Sequence, residues 1–129
     1  MSKISQERLK KLTPEQVNVV HNKGTEPARS HRLWKQSPDG TYRCVGCDAK
    51  LFASNSKFFS QCGWPAFSES IKDDAVEYIV DESHGMIRTE VVCNNCKAHL
   101  GHVFKGEPAH PVRFCINGVS LKAPDEPDS

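Results

Sequence analysis

The feature that most constrains this chain is a set of four cysteines in two short-spaced pairs. Cys44 and Cys47 form one CxxC motif, and Cys93 and Cys96 form the other. Four thiolates at this spacing can surround one zinc ion tetrahedrally. Such a site is structural, because it leaves no coordination position for a substrate. We therefore predict one structural zinc ion.

The two pairs lie far apart in the sequence. They are separated by 45 residues (48 to 92), more than the roughly 15 to 20 of a compact zinc ribbon. Closing the longer loop costs less than about 1 kcal/mol extra, whereas structural zinc binding contributes on the order of 10 kcal/mol. The metal is therefore expected to clamp the two ends of a large intervening domain.

Length and composition describe one globular domain spanning residues 1–129, with 37% hydrophobic and 26% charged residues. A net charge of +1 counts against nucleic-acid binding, and no apolar run approaches the roughly 18 residues of a membrane span. The first 13 residues lack the apolar core of a signal peptide. These features favour a reducing, cytoplasmic setting, in which structural disulfides are not expected.

Hydrophobic patterning predicts a mainly β fold with short helices in an N-terminal segment, residues 1–24. Thr13 and Gln16 flank Pro14 and Glu15 in the pattern of a capping box, which predicts a helix beginning there, and a shorter helix is expected around 4–12. Alternating residues at 76–80 and 87–91 predict a hairpin. Further strands are expected at 100–104 and 112–121, an irregular connector at 25–40, and a flexible acidic tail at 124–129.

Two cysteines remain outside the metal-type pairs. If 112–121 is a strand, Arg113, Cys115 and Asn117 share one face, and a guanidinium beside a thiol favours the reactive thiolate. An inert cysteine buried in a β core fits the same local pattern equally well. Cys62 lies in a loop beside Gly63, where it is either a mobile thiol or a packing residue next to Trp64. Composition alone favours Trp64 as a core residue.

The other cluster of polar residues in the sequence is a pair of histidines, His99 and His102. In a regular strand their side chains would point to opposite faces. A bulge at Gly101 would bring both to one side. The alternative is that they are two ordinary surface or hydrogen-bonded histidines. They could also be metal ligands, but four cysteines already complete the coordination of one zinc.

Taken together, the motifs of residues 24–122 resemble the B-type methionine sulfoxide reductases, in order and with compatible spacing. The segments that carry the resemblance are Tyr42-Arg43-Cys44-Val45-Gly46-Cys47, Leu51-Phe52, Lys57-Phe58, Cys62-Gly63-Trp64-Pro65, Arg88-Thr89-Glu90-Val91, Cys93-Asn94-Asn95-Cys96, His99-Leu100-Gly101-His102-Val103-Phe104 and Arg113-Phe114-Cys115-Ile116-Asn117.

The resemblance implies reduction of the R-epimer of methionine sulfoxide in peptides and proteins, with thioredoxin as the reductant. It also implies two antiparallel β sheets in a tent-like arrangement, and zinc on the four paired cysteines. By that match Cys115 is the nucleophile, Cys62 the resolving cysteine, and Trp64 the residue that holds the substrate methyl group. The other implied site residues are Arg113, His99, His102 and Asn117. We expect a monomer.

The chain departs from the family pattern in its loops. Gly118 stands where serine is usual, Gln61 replaces a common glycine, and 109–111 replaces a more usual Pro-Thr-Gly. The segment at 27–30 matches only loosely. None of these changes removes a group with an implied chemical role, so the expected effect is on loop geometry and turnover.

Two other classes of protein share some of these features. A zinc-ribbon binding module would explain the four paired cysteines but not Cys62, Cys115 or the histidines. A general thiol-disulfide oxidoreductase would use a CxxC pair as its active dithiol and would carry no zinc. The sequence does not identify the repaired proteins, activity on free methionine sulfoxide or the separate roles of His99 and His102.

Overall fold

The computed structural model describes residues 2–106 and 108–126. Within them lie two α-helices, α1 (Gln6–Lys11) and α2 (Pro14–Val20), followed by nine short strands. The bounds of the strands are β1 Thr41–Cys44, β2 Lys50–Ala53, β3 Lys57–Phe58, β4 Ala66–Phe67, β5 Val76–Asp81, β6 Arg88–Cys93, β7 His99–Lys105, β8 Val112–Ile116 and β9 Leu121–Lys122.

The strands form two antiparallel sheets. The smaller has the order β2-β1-β9, and the larger has the order β3-β4-β8-β7-β6-β5. Strands β5 and β6 form the predicted hairpin, with Asp81 opposite Arg88 at its end. The predicted fold class, mainly β with two antiparallel sheets and short N-terminal helices, is confirmed.

An aromatic cluster fills the core between the two sheets. Phe52 of the small sheet stacks on Phe67 of the large one with 4.3 Å between ring centroids. Tyr42 meets Phe67 edge-on at 5.3 Å, and Phe114 meets Phe52 edge-on at 5.7 Å. Offset and edge-on arrangements are the favoured ones for aromatic rings. The cluster ties β8, which carries Cys115, to the rest of the fold.

Helix α2 begins at the predicted capping box. The Thr13 hydroxyl accepts a hydrogen bond from the Gln16 backbone, and the Gln16 side chain accepts one from the Thr13 backbone. Val19 and Val20 are buried at its end. The helix predicted at 4–12 is shorter, because Ser5 caps it and α1 starts only at Gln6.

The strand predicted at 112–121 is too long and needs correction. It ends at Ile116, and Gly118–Ser120 forms a 3₁₀ turn. The ring of His31 occupies the space beside Gly118, 2.3 Å from where a Cβ would lie, so the usual serine would not fit without rearrangement. The chain then continues into β9, and Cys115 and Asn117 stand near the end of β8.

The connector at 25–40 includes a short 3₁₀ helix, Arg32–Trp34. Arg32 pairs with Asp125 at 3.0 Å and with Glu126 at 3.3 Å, both in the segment predicted as a flexible tail. Residues 127–129 of that tail lie outside the described residues. Neither α-helix in the described part of the chain has the length and apolar character that a membrane crossing requires.

Candidate active site

A bulge in β7 brings the two histidines to one face of the large sheet. Gly101 lies opposite Val91 and His99 opposite Val92, so Leu100 is the extra residue. The predicted bulge is confirmed, one residue before the expected position. The rings of His99 and His102 are consequently neighbours, with centroids 5.7 Å apart.

Gly101 permits β7 and β8 to approach closely. A Cβ at this position would lie only 2.0 Å from the Cys115 carbonyl oxygen, a distance that no side chain could occupy. Glycine is therefore needed for space, not for an unusual backbone angle. The close approach sets His102 directly opposite Cys115 across the two strands.

Cys115 is 8% exposed and lies beside a cation. The Arg113 guanidinium donates a hydrogen bond from Nη1 to Cys115 Sγ at 2.8 Å, and the same guanidinium lies 4.9 Å from the centroid of the Phe104 ring. The cation–π contact orients Arg113. The predicted common face of Arg113 and Cys115 is present, and the hydrogen bond favours negative charge on the sulfur.

Cys62 lies next to Cys115, with 3.1 Å between the two sulfurs. The hydrogen bond that the Cys115 thiol donates to Cys62 lowers the pKa of Cys62 to about 5. The same hydrogen bond, followed by burial, raises the pKa of Cys115. The shared hydrogen bond thus favours negative charge on Cys62 and the proton on Cys115.

A small pocket of about 80 Å³ opens beside the Cys115 sulfur. Its walls include both apolar rings and polar side chains, namely Thr25, Trp64, Arg88, Gly101, His102, Phe104, Cys115 and Asn117. The pocket is small enough to admit only the end of a side chain. It combines a thiol, a histidine and aromatic rings, which suits attack on a small group with an apolar substituent.

Glu26 holds two walls of this pocket in place. Its backbone N–H donates to Asn117 Oδ1 at 3.0 Å, and its carbonyl accepts from Trp64 Nε1 at 3.0 Å. The carboxylate accepts a hydrogen bond from the Val119 backbone at 2.9 Å, and burial raises the pKa of Glu26. One residue therefore fixes Trp64, Asn117 and the turn after β8.

The two histidines occupy different positions. His102 lines the pocket and its Nε2 lies 2.8 Å from Asp81 Oδ2. His99 is 4% exposed and lies behind the pocket, 2.7 Å from Glu90 Oε2. Burial raises the pKa of Glu90, but hydrogen bonds from His99 and Lys23 outweigh burial, and the net pKa is lowered.

The four paired cysteines form a separate cluster at the far ends of β1 and β6. Their sulfurs all lie within 4.8 Å of one another, and two of the distances, Cys44–Cys96 and Cys47–Cys93, are 3.6 Å. Sulfurs at 2.3 Å from a tetrahedral zinc would be about 3.8 Å apart. The residues fit a metal ion, and the cluster is able to bind one.

Hydrogen bonds among the four sulfurs shift the pKa values of these cysteines in opposite directions. Hydrogen bonding, first from Cys44, lowers the pKa of Cys47, while the same contact raises the pKa of Cys44. The crowded sulfurs therefore favour a thiolate at Cys47, which is the form that ligates a metal.

Sequence reasoning missed several residues at the pocket, chiefly Glu26, Asp81, Arg88 and Phe104. Arg88 lies inside a segment that carries the family resemblance, but the sequence indicates no role for Arg88 or Glu26. Asp81 lies between the two runs of the predicted hairpin, at 76–80 and 87–91, where the sequence predicts only a turn. Each acts through a contact between distant segments, such as Glu26 with Asn117, which local periodicity does not encode.

Comparison with known proteins gives consistent matches across the chain. The model of the SelR domain matches residues 12–125. The chain is 45% identical to the peptide methionine sulfoxide reductase MsrB of Acinetobacter baylyi, over 95% of this chain and 88% of that protein. It is 46% identical to the MsrB of a Synechococcus species, over 90% and 86%, and 46% identical to that of Leptospira interrogans, over 95% and 94%.

Proposed function

We propose that this chain, which belongs to the SelR-domain family of B-type methionine sulfoxide reductases, reduces the R-epimer of methionine sulfoxide in proteins and peptides to methionine. The observation that carries the proposal is the position of Cys115. Its sulfur lies 2.8 Å from the Arg113 guanidinium and 3.1 Å from Cys62, at a pocket that includes His102 and Trp64.

In the first step the Cys115 thiolate attacks the sulfoxide sulfur. Arg113 stabilises the thiolate once the proton of Cys115 has passed to Cys62. A histidine supplies a proton to the sulfoxide oxygen, and His102 is favoured over His99 because His102 lines the pocket. The sulfur–oxygen bond of the substrate breaks as its hydroxyl passes to the Cys115 sulfur, and the transient bond between Cys115 and the substrate sulfur breaks as well. Methionine leaves reduced by two electrons, and Cys115 becomes a sulfenic acid.

Trp64 supports the choice of epimer. Its indole N–H is bonded to Glu26, so the ring has a fixed orientation as a wall of the pocket. A fixed apolar wall can hold the S-methyl group, and the oxygen of only one epimer then points toward His102. Asn117, held by Glu26, shapes the same pocket.

In the second step Cys62 attacks the sulfenic acid. A disulfide forms between Cys62 and Cys115, and the hydroxyl of the sulfenic acid leaves as water after taking a proton. The 3.1 Å separation of the sulfurs supports this role, because the sulfur–sulfur bond requires only a small approach. A dithiol protein then reduces the disulfide by thiol exchange, and we infer thioredoxin for this role.

The remaining inferences concern metal, assembly and location. We infer that zinc is held by Cys44, Cys47, Cys93 and Cys96, where it stabilises the fold and takes no electrons. We further infer a monomer in a reducing, cytoplasmic compartment, in which the reactive thiols stay reduced.

Neither alternative class accounts for the site as well. A zinc-ribbon binding module has no use for a cysteine pair beside an arginine and a histidine. A general thiol-disulfide oxidoreductase would need a free CxxC dithiol, but the two CxxC pairs lie together in one four-sulfur cluster. Family membership also favours the reductase.

The direct test is reduction of separated R and S epimers of a methionine sulfoxide peptide with dithiothreitol. The wild-type protein is expected to reduce only the R-epimer, and Cys115→Ser is expected to have no activity. Preference for the S-epimer, or turnover near wild type in Cys115→Ser, would refute the assignment. Glu82→Gln, an exposed change near the hairpin end, serves as the control and should match wild type.

A further inference from the structure

A carboxylate stands behind the histidine that lines the pocket. Asp81, the last residue of β5, places Oδ2 2.8 Å from His102 Nε2. The same oxygen lies 3.3 Å from Arg88 Nη2, and Oδ1 accepts a hydrogen bond from the Ser83 backbone at 3.0 Å. Both side chains of the pair are mostly shielded, with 14% of Asp81 and 13% of His102 exposed.

We propose that Asp81 is a positioning residue for His102, fixing the orientation and tautomer of the ring that protonates the sulfoxide oxygen. This inference rests on the proposed reductase function and deepens it. Asp81 does not line the pocket and touches no reacting atom, so it acts only through His102.

The tautomer follows from the chemistry of the pair. An ionised carboxylate only accepts hydrogen bonds, so Nε2 of His102 must carry the proton that it shares with Asp81. The titrating nitrogen is then Nδ1, at the other side of the ring. A protonated His102 would deliver its proton from Nδ1, and Asp81 would keep Nε2–H in place while the proton moves.

The hairpin gives Asp81 a fixed position. Asp81 and Arg88 lie opposite each other at the end of the β5–β6 ladder, and the Arg88 guanidinium holds the carboxylate from the other side. Hydrogen bonds from Ser83 and then His102 hold the pKa of Asp81 well below its usual range. The carboxylate is therefore ionised over the whole range in which His102 titrates.

The charges around His102 set the direction of the expected pH effect. Burial lowers the pKa of His102, and Asp81 opposes that shift. The titratable and charged groups that face it are Asp81 on β5, Arg88 and Glu90 on β6, His99 on β7, and Cys115 on β8. Removing the Asp81 charge leaves Arg88 unopposed, so the His102 pKa should fall further.

The first experiment measures single-turnover methionine release from the R-sulfoxide in Asp81→Asn. We expect the rate to fall about 10- to 1,000-fold, a part of the roughly 100- to 10,000-fold that general acid catalysis contributes. The rate should also begin to decline at a lower pH than in wild type, because less His102 is protonated at each pH. Glu82→Gln removes a neighbouring exposed charge and should change neither the rate nor the profile.

A double-mutant cycle separates positioning from general damage. In a His102→Gln background, Asp81→Asn should change the rate by no more than about twofold, because Asp81 acts through the missing ring. Asp81→Ser repeats the measurement if the asparagine variant does not fold. An equal loss in both backgrounds, or an unchanged pH profile in Asp81→Asn, would overturn the inference.

The two proposals fail in different ways. A wild-type protein that releases no methionine from the R-sulfoxide would refute the reductase function itself. An active wild type, together with an Asp81→Asn variant of equal rate and pH profile, would refute only the role of Asp81.

Discussion

Cys62 and Cys115 meet at 3.1 Å although 53 positions separate them in the chain. The first chemical step depends on which of the two sulfurs carries the negative charge when the substrate enters. Hydrogen bonding favours negative charge on Cys62, whereas Arg113 favours it on Cys115. Because the proposed resolving cysteine lies so close to the proposed nucleophile, the two sulfurs compete for the negative charge before they form the disulfide.

Replacing Cys62 separates attack from resolution. In Cys62→Ser the first turnover should stay within a few-fold of wild type, because Arg113 still stabilises Cys115 and His102 is untouched. One equivalent of methionine should form per chain, and dimedone should trap the Cys115 sulfenic acid. Turnover driven by thioredoxin should fall steeply, since that protein reduces disulfides. Wild-type thioredoxin turnover in this variant would make Cys62 a packing residue.

At the scale of elements, the site is an outcome of strand packing. The bulge in β7 turns His99 and His102 to one face, and the contact of β7 with β8 sets His102 opposite Cys115. Gly101 allows both features, because its missing side chain leaves room for the Cys115 carbonyl.

Gly101→Ala should therefore damage both stability and activity. The added methyl group must displace β8, which we expect to cost about 3 kcal/mol and to move Cys115 away from His102. Gly106→Ala is the matched control: among the described residues other than its chain neighbours, a Cβ there meets no atom within 4 Å, so only its positive φ of 95° adds strain, about 1 kcal/mol. The two variants are compared by their stability in denaturant unfolding and by their single-turnover rates. A Gly101→Ala protein with wild-type stability would contradict this account of β7.

The sequence predicts elements that have a local signal. The capping box at Thr13, the β5–β6 hairpin and the bulge near Gly101 were each visible in residue types and spacing. The end of β8 was not, because the 3₁₀ turn after it is held by a contact with a distant segment, the hydrogen bond from the Val119 backbone to the Glu26 carboxylate. The contacts of Glu26 and Asp81 with the pocket also join distant segments, so no local pattern announces them.

At the scale of the whole molecule, the metal-type cluster and the pocket are separate sites: the cluster joins β1 of the small sheet to β6 of the large one, and the pocket lies on the large sheet. Cys93 ends β6, and Cys96 lies just before β7, whose first residue is His99. A metal at the cluster would fix the turn between these two strands. The metal would therefore affect activity by positioning β7, and not by transferring electrons.

The zinc prediction follows from this arrangement. We expect one zinc ion per chain in elemental analysis. Chelation should lower the melting temperature, and a chelator should remove the metal more readily at low pH, where the thiolates are protonated. Cys96→Ser should lose zinc and be strongly destabilised. Cys62→Ser also removes one cysteine but should keep its zinc and its melting temperature. An active, zinc-free wild type of normal stability would contradict the structural role.

The most direct measurement for the account as a whole is a single turnover with one equivalent of R-sulfoxide in the absence of reductant. Rapid quenching and mass spectrometry would quantify methionine and map the oxidised cysteines. We predict one methionine per chain and one disulfide joining Cys62 to Cys115, with the four paired cysteines unchanged. Methionine formed with a disulfide in either CxxC pair, or no methionine at all, would contradict the account.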